Sequence, residues 1–207
     1  MEFKPTRMEL TNLKKRKAVA VRGHKMMKDK RDELVRRFIV YVRRNRELRE
    51  EMERKLGEAL KAFVLARASM GGEAIEEALM YPARAAQVAI GMEHVLSIQV
   101  PRLTIEESGE FQYPYGFATT SAELDGAVRA LGEILPMLLE LAQVEKTCNR
   151  LADEIEKTRR RVNALEYVMI PQFIEGIRQI KMKLDENERG NLTRLMKTKD
   201  MLAKKGN

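Results

Sequence analysis

No tryptophan occurs in these 207 residues, and aromatics make up only 5% of them. That is poor material for a thick globular core. A single cysteine, Cys148, excludes an internal disulfide and points to a reducing compartment. No apolar run reaches the length that spans a bilayer, so direct membrane insertion is not expected. The start, Met-Glu-Phe-Lys-Pro, lacks the apolar core of a signal peptide. A cytoplasmic location is the expectation, with any membrane attachment made through partners. The motifs G-x-x-x-x-G-K-[ST], G-x-G-x-x-G, H-E-x-x-H and C-x-x-C are all missing. No catalytic residue, cofactor or metal ligand set is therefore expected.

Charge is plentiful. Charged residues make up 34% of the chain and apolar ones still 44%, too many for a disordered chain. The net charge is +8, and it is uneven. Residues 1–55 carry 19 Lys/Arg against 9 Asp/Glu, a net of +10, which leaves −2 for the remainder. A basic arm of this kind suits an acidic partner, whether nucleic acid, anionic lipid or a charged protein cavity.

That arm reads as one helix. Thr6 with Glu9 three residues later forms a capping box, and Gly71-Gly72 supplies the stop. A helix from Thr6 to Met70 would run for ~95 Å at 1.5 Å per residue. Its apolar spacing is a heptad: Leu10, Leu13, Lys17, Ala20, His24, Met27, Arg31, Leu34, Phe38, Tyr41, Asn45, Leu48, Met52. A stutter then leads to Leu56, Ala59, Phe63, Ala66 and Met70. Such a seam predicts a coiled coil. Its polar members, Lys17, His24, Arg31 and Asn45, either specify register or mark contact with a third body. No cluster of metal-binding side chains accompanies His24, so it reads as a packed seam residue.

The middle is different. A short helix is expected over Glu73–Tyr81, ended by Pro82. Period-two alternation follows in Val88, Ile90, Met92 and in Leu96, Ile98, Val100. Pro101 should interrupt it, and Ser108-Gly109 should turn the chain. Phe111, Tyr113, Tyr115 and Phe117 then alternate as a strand would, with Pro114 favouring a sheet edge. A β-hairpin or small sheet is expected. Its aromatics read as a mini-core, since no Lys or Arg is interleaved as in a nucleic-acid stacking platform.

Thr120 and Glu123 repeat the capping-box pattern, and a strongly apolar helix follows. Pro136 should kink or break it near Leu135. A heptad then runs through Cys148, Leu151, Ile155, Thr158, Val162, Leu165 and Met169. A second stutter leads to Phe173, Ile177, Ile180, Leu184 and Asn187. Cys148 on that seam reads as an inert small hydrophobe. Pro171 should bend the helix. If the arms pair antiparallel with both ends at one tip, Pro171 falls roughly opposite Phe38. Arg159, Arg160 and Arg161 flank the seam residues Thr158 and Val162 and so point outward, either as a solvated basic face or as a collar meeting surrounding protein.

The expected fold is therefore mainly α: a long antiparallel two-helix coiled coil with a small middle head that holds a short helix and a β-hairpin. Its segments are an N-terminal coiled-coil helix at 6–70, a middle segment at 71–120, a C-terminal coiled-coil helix at 121–202 and a fraying tail at 203–207.

Several stretches together resemble the D subunit of V-type and A-type ATPases. They are Pro5-Thr-Arg-Met-Glu-Leu10, Arg22-Gly-His-Lys25, Leu34 to Phe38, Glu156-Lys-Thr-Arg-Arg-Arg-Val-Asn-Ala-Leu-Glu166, Ile170-Pro171 and Ile180-Lys-Met-Lys-Leu-Asp-Glu-Asn-Glu-Arg189. The resemblance covers both arms, and the middle segment matches only in general character. It implies a non-catalytic rotor shaft that transmits torque between a catalytic hexamer and the ion-translocating ring in the membrane. The implied partners are the F subunit, the catalytic A and B subunits and the funnel-shaped subunit (C or d) on the ring. On that reading the basic tip, with Arg7, Lys14, Arg22, Lys25, Arg189, Arg194 and Lys197, would face the A/B collar. Pro171 would mark a bend in the shaft. The alternative, from composition alone, is a basic coiled-coil binder of nucleic acid or a chaperone-like protein.

Overall fold

The structure is a computed structural model that describes residues 4–82, 86–96, 98–107, 112–118 and 120–205, the side chains of 106, 107 and 203–205 excepted. Helix α1 (Arg7–Met70) is followed by α2 (Gly72–Ala78) and by strands β1 (Ala86–Val95) and β2 (Ile98–Glu107). Helix α3 (Ala122–Asn163), a π-helical turn (Ala164–Met169) and α4 (Ile170–Lys205) complete the chain. The mainly helical reading, with a central antiparallel hairpin, is borne out. The contacts divide the chain into two compact units. One is 1–33 with 156–207, and the other is 34–155.

Helix α1 starts where the sequence signals it. The Glu9 amide donates to Thr6 Oγ1 at 3.2 Å, and the Leu10 amide to the Thr6 carbonyl at 3.0 Å. It ends at Gly71, whose φ of 85° lies in the left-handed region that glycine enters without steric cost. Every heptad position read on α1, from Leu10 to Met70, is buried or half-buried.

In the larger unit the seam is covered from α3. Leu34 packs with Leu151, Ile98 and Val100, and Phe38 and Tyr41 lie against the same cluster. Leu48 packs with Leu141, Val144 and Cys148. Ala66 and Leu124 close the far end with Ile75 of α2, beside Phe63, Met70 and Tyr115. These pairings, 34 with 151, 48 with 141 and 66 with 124, run in opposite chain directions, so α1 and α3 are antiparallel here.

The hairpin corrects two expectations. Pro101 does not interrupt β2 but pairs with Met92. Counted from the turn-closing pair Val95–Ile98, the Met92–Pro101 pair is non-hydrogen-bonded. Its missing N–H would have pointed away from β1, where a two-stranded ribbon has no further strand. Residues 112–118 are not a strand despite their alternation. Pro114 and Gly116 favour turns there, and Tyr113 instead sits 5.8 Å from Tyr115 and edge-on to Phe117 at 5.4 Å. Phe111 and the turn expected at Ser108-Gly109 lie outside the described residues.

The second capping box is not formed as read. Thr120 Oγ1 donates to the Gly116 carbonyl, and the Ser121 carbonyl accepts from the amides of Leu124 and Asp125. Pro136 does not break α3, which runs through it. Its ring faces solvent, while Ile134 and Leu141 on either side are buried and hold both halves to the core.

In the smaller unit, Leu13 and Ala20 of α1 are buried, as are Thr158, Val162 and Ile180 on the returning chain. His24 meets Glu166 at 3.2 Å, and Arg7, Leu10 and Thr11 share a groove with Lys181, Leu184 and Asp185. The helices are therefore antiparallel, and their facing residue numbers sum to about 190. Pro171 thus falls level with about residue 19 and not with Phe38, which packs in the other unit against α3. Asn187 is exposed and leaves the seam at Leu184. Helix α4 continues to Lys205, so the tail expected from 203 is helical at its start, and 206–207 lie outside the described residues.

Candidate protein–protein interface

The outer surface carries whatever recognition this chain performs. Among the described residues, no group of three or more His, Cys, Asp or Glu is placed to hold a metal. No helix among them is long and apolar enough to cross a membrane. Cys148 is buried, and that burial pushes its thiol upward, partly offset by a side-chain hydrogen bond from Asn45. The thiol is thereby held in its unreactive form.

The basic residues expected at the tip and the run Arg159–Arg161 are all exposed. Arg7 lines a groove with Leu184, Asn187, Glu188, Asn191, Leu192 and Leu195 of α4. Arg189, Arg194 and Lys197 follow on α4, five and three residues apart, which at about 3.6 residues per turn keeps them on one side of the helix. Lys14 lies about two turns from Arg7 on the same face of α1, and Arg22 and Lys25 lie further along. Lys25 lies 18 residues from Arg7 along α1, about 27 Å away at 1.5 Å per residue. Arg22 and Lys25 sit level with the π-turn. The expected basic tip is therefore spread along about 27 Å of α1 and the exposed end of α4.

Arg159, Arg160 and Arg161 are all exposed around the buried Thr158 and Val162. Arg160 is paired with Glu156 one turn earlier on its own helix. Between α1 and α3 of the larger unit, Arg44 donates to Glu140 at 2.8 Å, and Arg49 pairs with Glu145. The bond to Glu140, then that carboxylate's charge, holds the Arg44 guanidinium above its ordinary value. These edge pairs are half-exposed and contribute little each. They join a basic stretch of α1 to an acidic stretch of α3, where residues 122–155 carry 3 Lys/Arg against 7 Asp/Glu.

Apolar surface is the feature that the sequence reading passed over. Val19 and Met26 on α1 are exposed by 59% and 71%, level with the exposed Tyr167 and Ile174 of the returning chain. In the larger unit, Val35, Ile39 and Val42 form an exposed stripe on α1. The hairpin adds Val88, Ile90 and Met92, exposed on the face opposite Ile98 and Val100. The signal was available: 19 with 26, and 35 with 39 and 42, recur at helical spacing off the seam. A second apolar stripe on a helix whose first is already buried is a candidate contact surface.

Comparison with known proteins decides the family. The sequence model of the ATP synthase D subunit matches residues 9–200. The chain belongs to the ATP synthase D-subunit family. It is 57% identical over 205 residues to the V-type ATP synthase D subunit of Acetivibrio thermocellus, an alignment covering 98% of this chain and 92% of that protein. The protein of the same name from Clostridium novyi is 56% identical over 209 residues, covering 99% and 96%. That of a Thermoanaerobacter strain is 55% identical over 201 residues, covering 97% and 96%. The resemblance read from the run Glu156–Glu166 and its companion stretches is thereby borne out across both arms and the middle segment.

Proposed function

We propose that this chain is the non-catalytic central-stalk subunit of a V-type ATP synthase, a rotor that carries torque between a catalytic A/B hexamer and the ion-translocating ring. Its partners are the F subunit, the A and B subunits and the funnel-shaped subunit on the ring. It resides in the cytoplasm and meets the membrane only through that complex. The match over nearly the full chain to relatives named as the D subunit of V-type ATP synthases carries this reading. The physical organisation supports it. A heptad seam filled along α1 resists bending and slippage between paired helices. A charged outer surface slides past changing neighbours more readily than a wide apolar one. Arg7, Lys14, Arg22, Lys25, Arg189, Arg194 and Lys197 face the A/B subunits, and Arg159, Arg160 and Arg161 form an outer basic face. The exposed stripe of Val35, Ile39 and Val42 is covered by a stalk partner.

The test is assembly. The full chain, mixed with purified F subunit and with an A/B hexamer, should co-elute with each in defined stoichiometry on a sizing column. Failure to bind either overturns the proposal. Salt-sensitive binding of the isolated chain to DNA or RNA, with no such assembly, supports the basic-binder alternative instead.

A further inference from the structure

Two seams can be drawn through the same residues of the smaller unit. Counted forward from Val162 and Leu165 along an α-helix, Met169 reaches the seam and a stutter leads on to Phe173. Counted back from Ile180, Ile177 and Phe173 in heptad spacing, the seam residue is Ile170. The structure adopts the second. Ile170 is half-buried, and Met169 is 41% exposed, off the seam where the sequence had placed it. The extra residue is taken up in the π-turn, where the Ile170 amide donates to the Leu165 carbonyl five residues back.

The two paths differ in twist. With one residue absorbed, Val162, Leu165, Ile170, Phe173, Ile177 and Ile180 follow an unbroken heptad rhythm, which keeps a left-handed supercoil. With Met169 in the seam, the spacing from Leu165 to Phe173 becomes a stutter, which unwinds the supercoil locally. Pro171 sets the balance between them. In a straight α-helix its ring presses on the carbonyl of Tyr167, four residues back. A wider turn at that point relieves the crowding. The sequence therefore leaves two side chains of similar size, Met169 and Ile170, competing for one seam position.

We infer that Ala164–Met169 is a twist joint. It exchanges between the π form, with Ile170 in the seam, and an α form, with Met169 in the seam and the paired helices locally unwound. The seams on either side, Thr158–Val162 and Phe173–Ile180, persist through the exchange. The joint rests on the residues of this unit alone and stands whether or not the chain turns in an assembly.

Cross-linking in the full chain tests it. In a Cys148→Ser background, Ala20→Cys, buried and level with residue 170, is combined with Ile170→Cys or with Met169→Cys. Both pairs should form disulfides under mild oxidation, the Ile170 pair faster. Adding Pro171→Ala removes the ring's pressure on the α form and should raise the Met169-to-Ile170 ratio on the order of tenfold. Cross-linking through Ile170 alone, in both backgrounds, overturns the inference, and so does cross-linking through Met169 alone. If the cysteine variants lose helicity, hydrogen exchange on the unaltered chain decides. Amides of Leu165–Ile170 should exchange at least tenfold faster than those of Val162 and Ile180, and equal protection overturns the joint.

Discussion

His24 Nε2 on α1 lies 3.2 Å from Glu166 Oε2 in the π-turn. The pair reaches across the smaller unit and marks the antiparallel register there. Its side chains are 21% and 48% exposed, so solvent screens it. A double-mutant cycle with His24→Gln and Glu166→Gln should give a coupling of no more than about 1 kcal/mol in urea unfolding. A coupling several times larger would mean that the pair, and not seam burial, sets the register.

The junction of hairpin and helices should be far more sensitive. Leu151 is fully buried beside Leu34, Ile98 and Val100. Leu151→Ala removes methyl groups from a site that three elements line, at a cost of roughly 2–5 kcal/mol. At roughly 2–4 °C per kcal/mol for a chain of this size, the melting temperature should fall by about 5–15 °C. Ile39→Ala, on the exposed stripe of α1, should change stability by less than about 0.5 kcal/mol and weaken stalk assembly instead. Calorimetry on both variants checks the contrast.

Thr158 holds a seam position at zero exposure, and its hydroxyl oxygen has no hydrogen-bond partner. An unsatisfied buried hydroxyl costs about 1–3 kcal/mol relative to one that is paired. Thr158→Val keeps the branched shape and removes the polar atom. The variant should be more stable by roughly 1 kcal/mol, seen as a rise in the urea midpoint at an unchanged slope. A loss of stability would show that the hydroxyl is satisfied after all, and the variant's own helicity would confirm that the fold survived.

The helices were legible because each signal in them is periodic and local. Thr6 with Glu9, the heptad from Leu10 to Met70 and the glycine pair at 71–72 state one answer at three levels, and the structure agrees. The failures fall where local and distant demands compete. The alternation of Phe111 to Phe117 has the period of a strand, yet Pro114 and Gly116 override it. Pro136 reads as a break, but the buried Ile134 and Leu141 on either side hold the helix through it. Met169 satisfies the heptad counted from one direction and Ile170 the heptad counted from the other, and only packing chooses between them. Which basic residues of α1 lie level with those of the returning chain is not legible, because numbers along a sequence do not reveal which pairs meet. It depends on the register at which His24 meets Glu166. The exposed apolar stripes are periodic too, but helical spacing alone does not tell which of two apolar stripes on one helix is buried.

Alkaline unfolding should start at the base of α3. Tyr115 donates its phenol proton to Asp125 Oδ1 at 2.9 Å and packs against the cluster of Ala66, Ile75 and Leu124. Burial first, then the hydrogen bond to Asp125 and that carboxylate's charge, pushes the phenol well above its ordinary value of about 10. A group raised in the folded state contributes stability that is whole below its unfolded value. That stability is lost as pH climbs through and beyond about 10, because the unfolded chain then releases a proton that the folded chain retains. Tyr115→Phe deletes the titration together with the hydrogen bond. The variant should be less stable than the parent at pH 7 by about 1 kcal/mol, and the gap should narrow steadily between pH 9 and pH 11.5. Urea midpoints of the two proteins across that range measure it, and a gap that stays constant would assign the phenol no part in the alkaline transition.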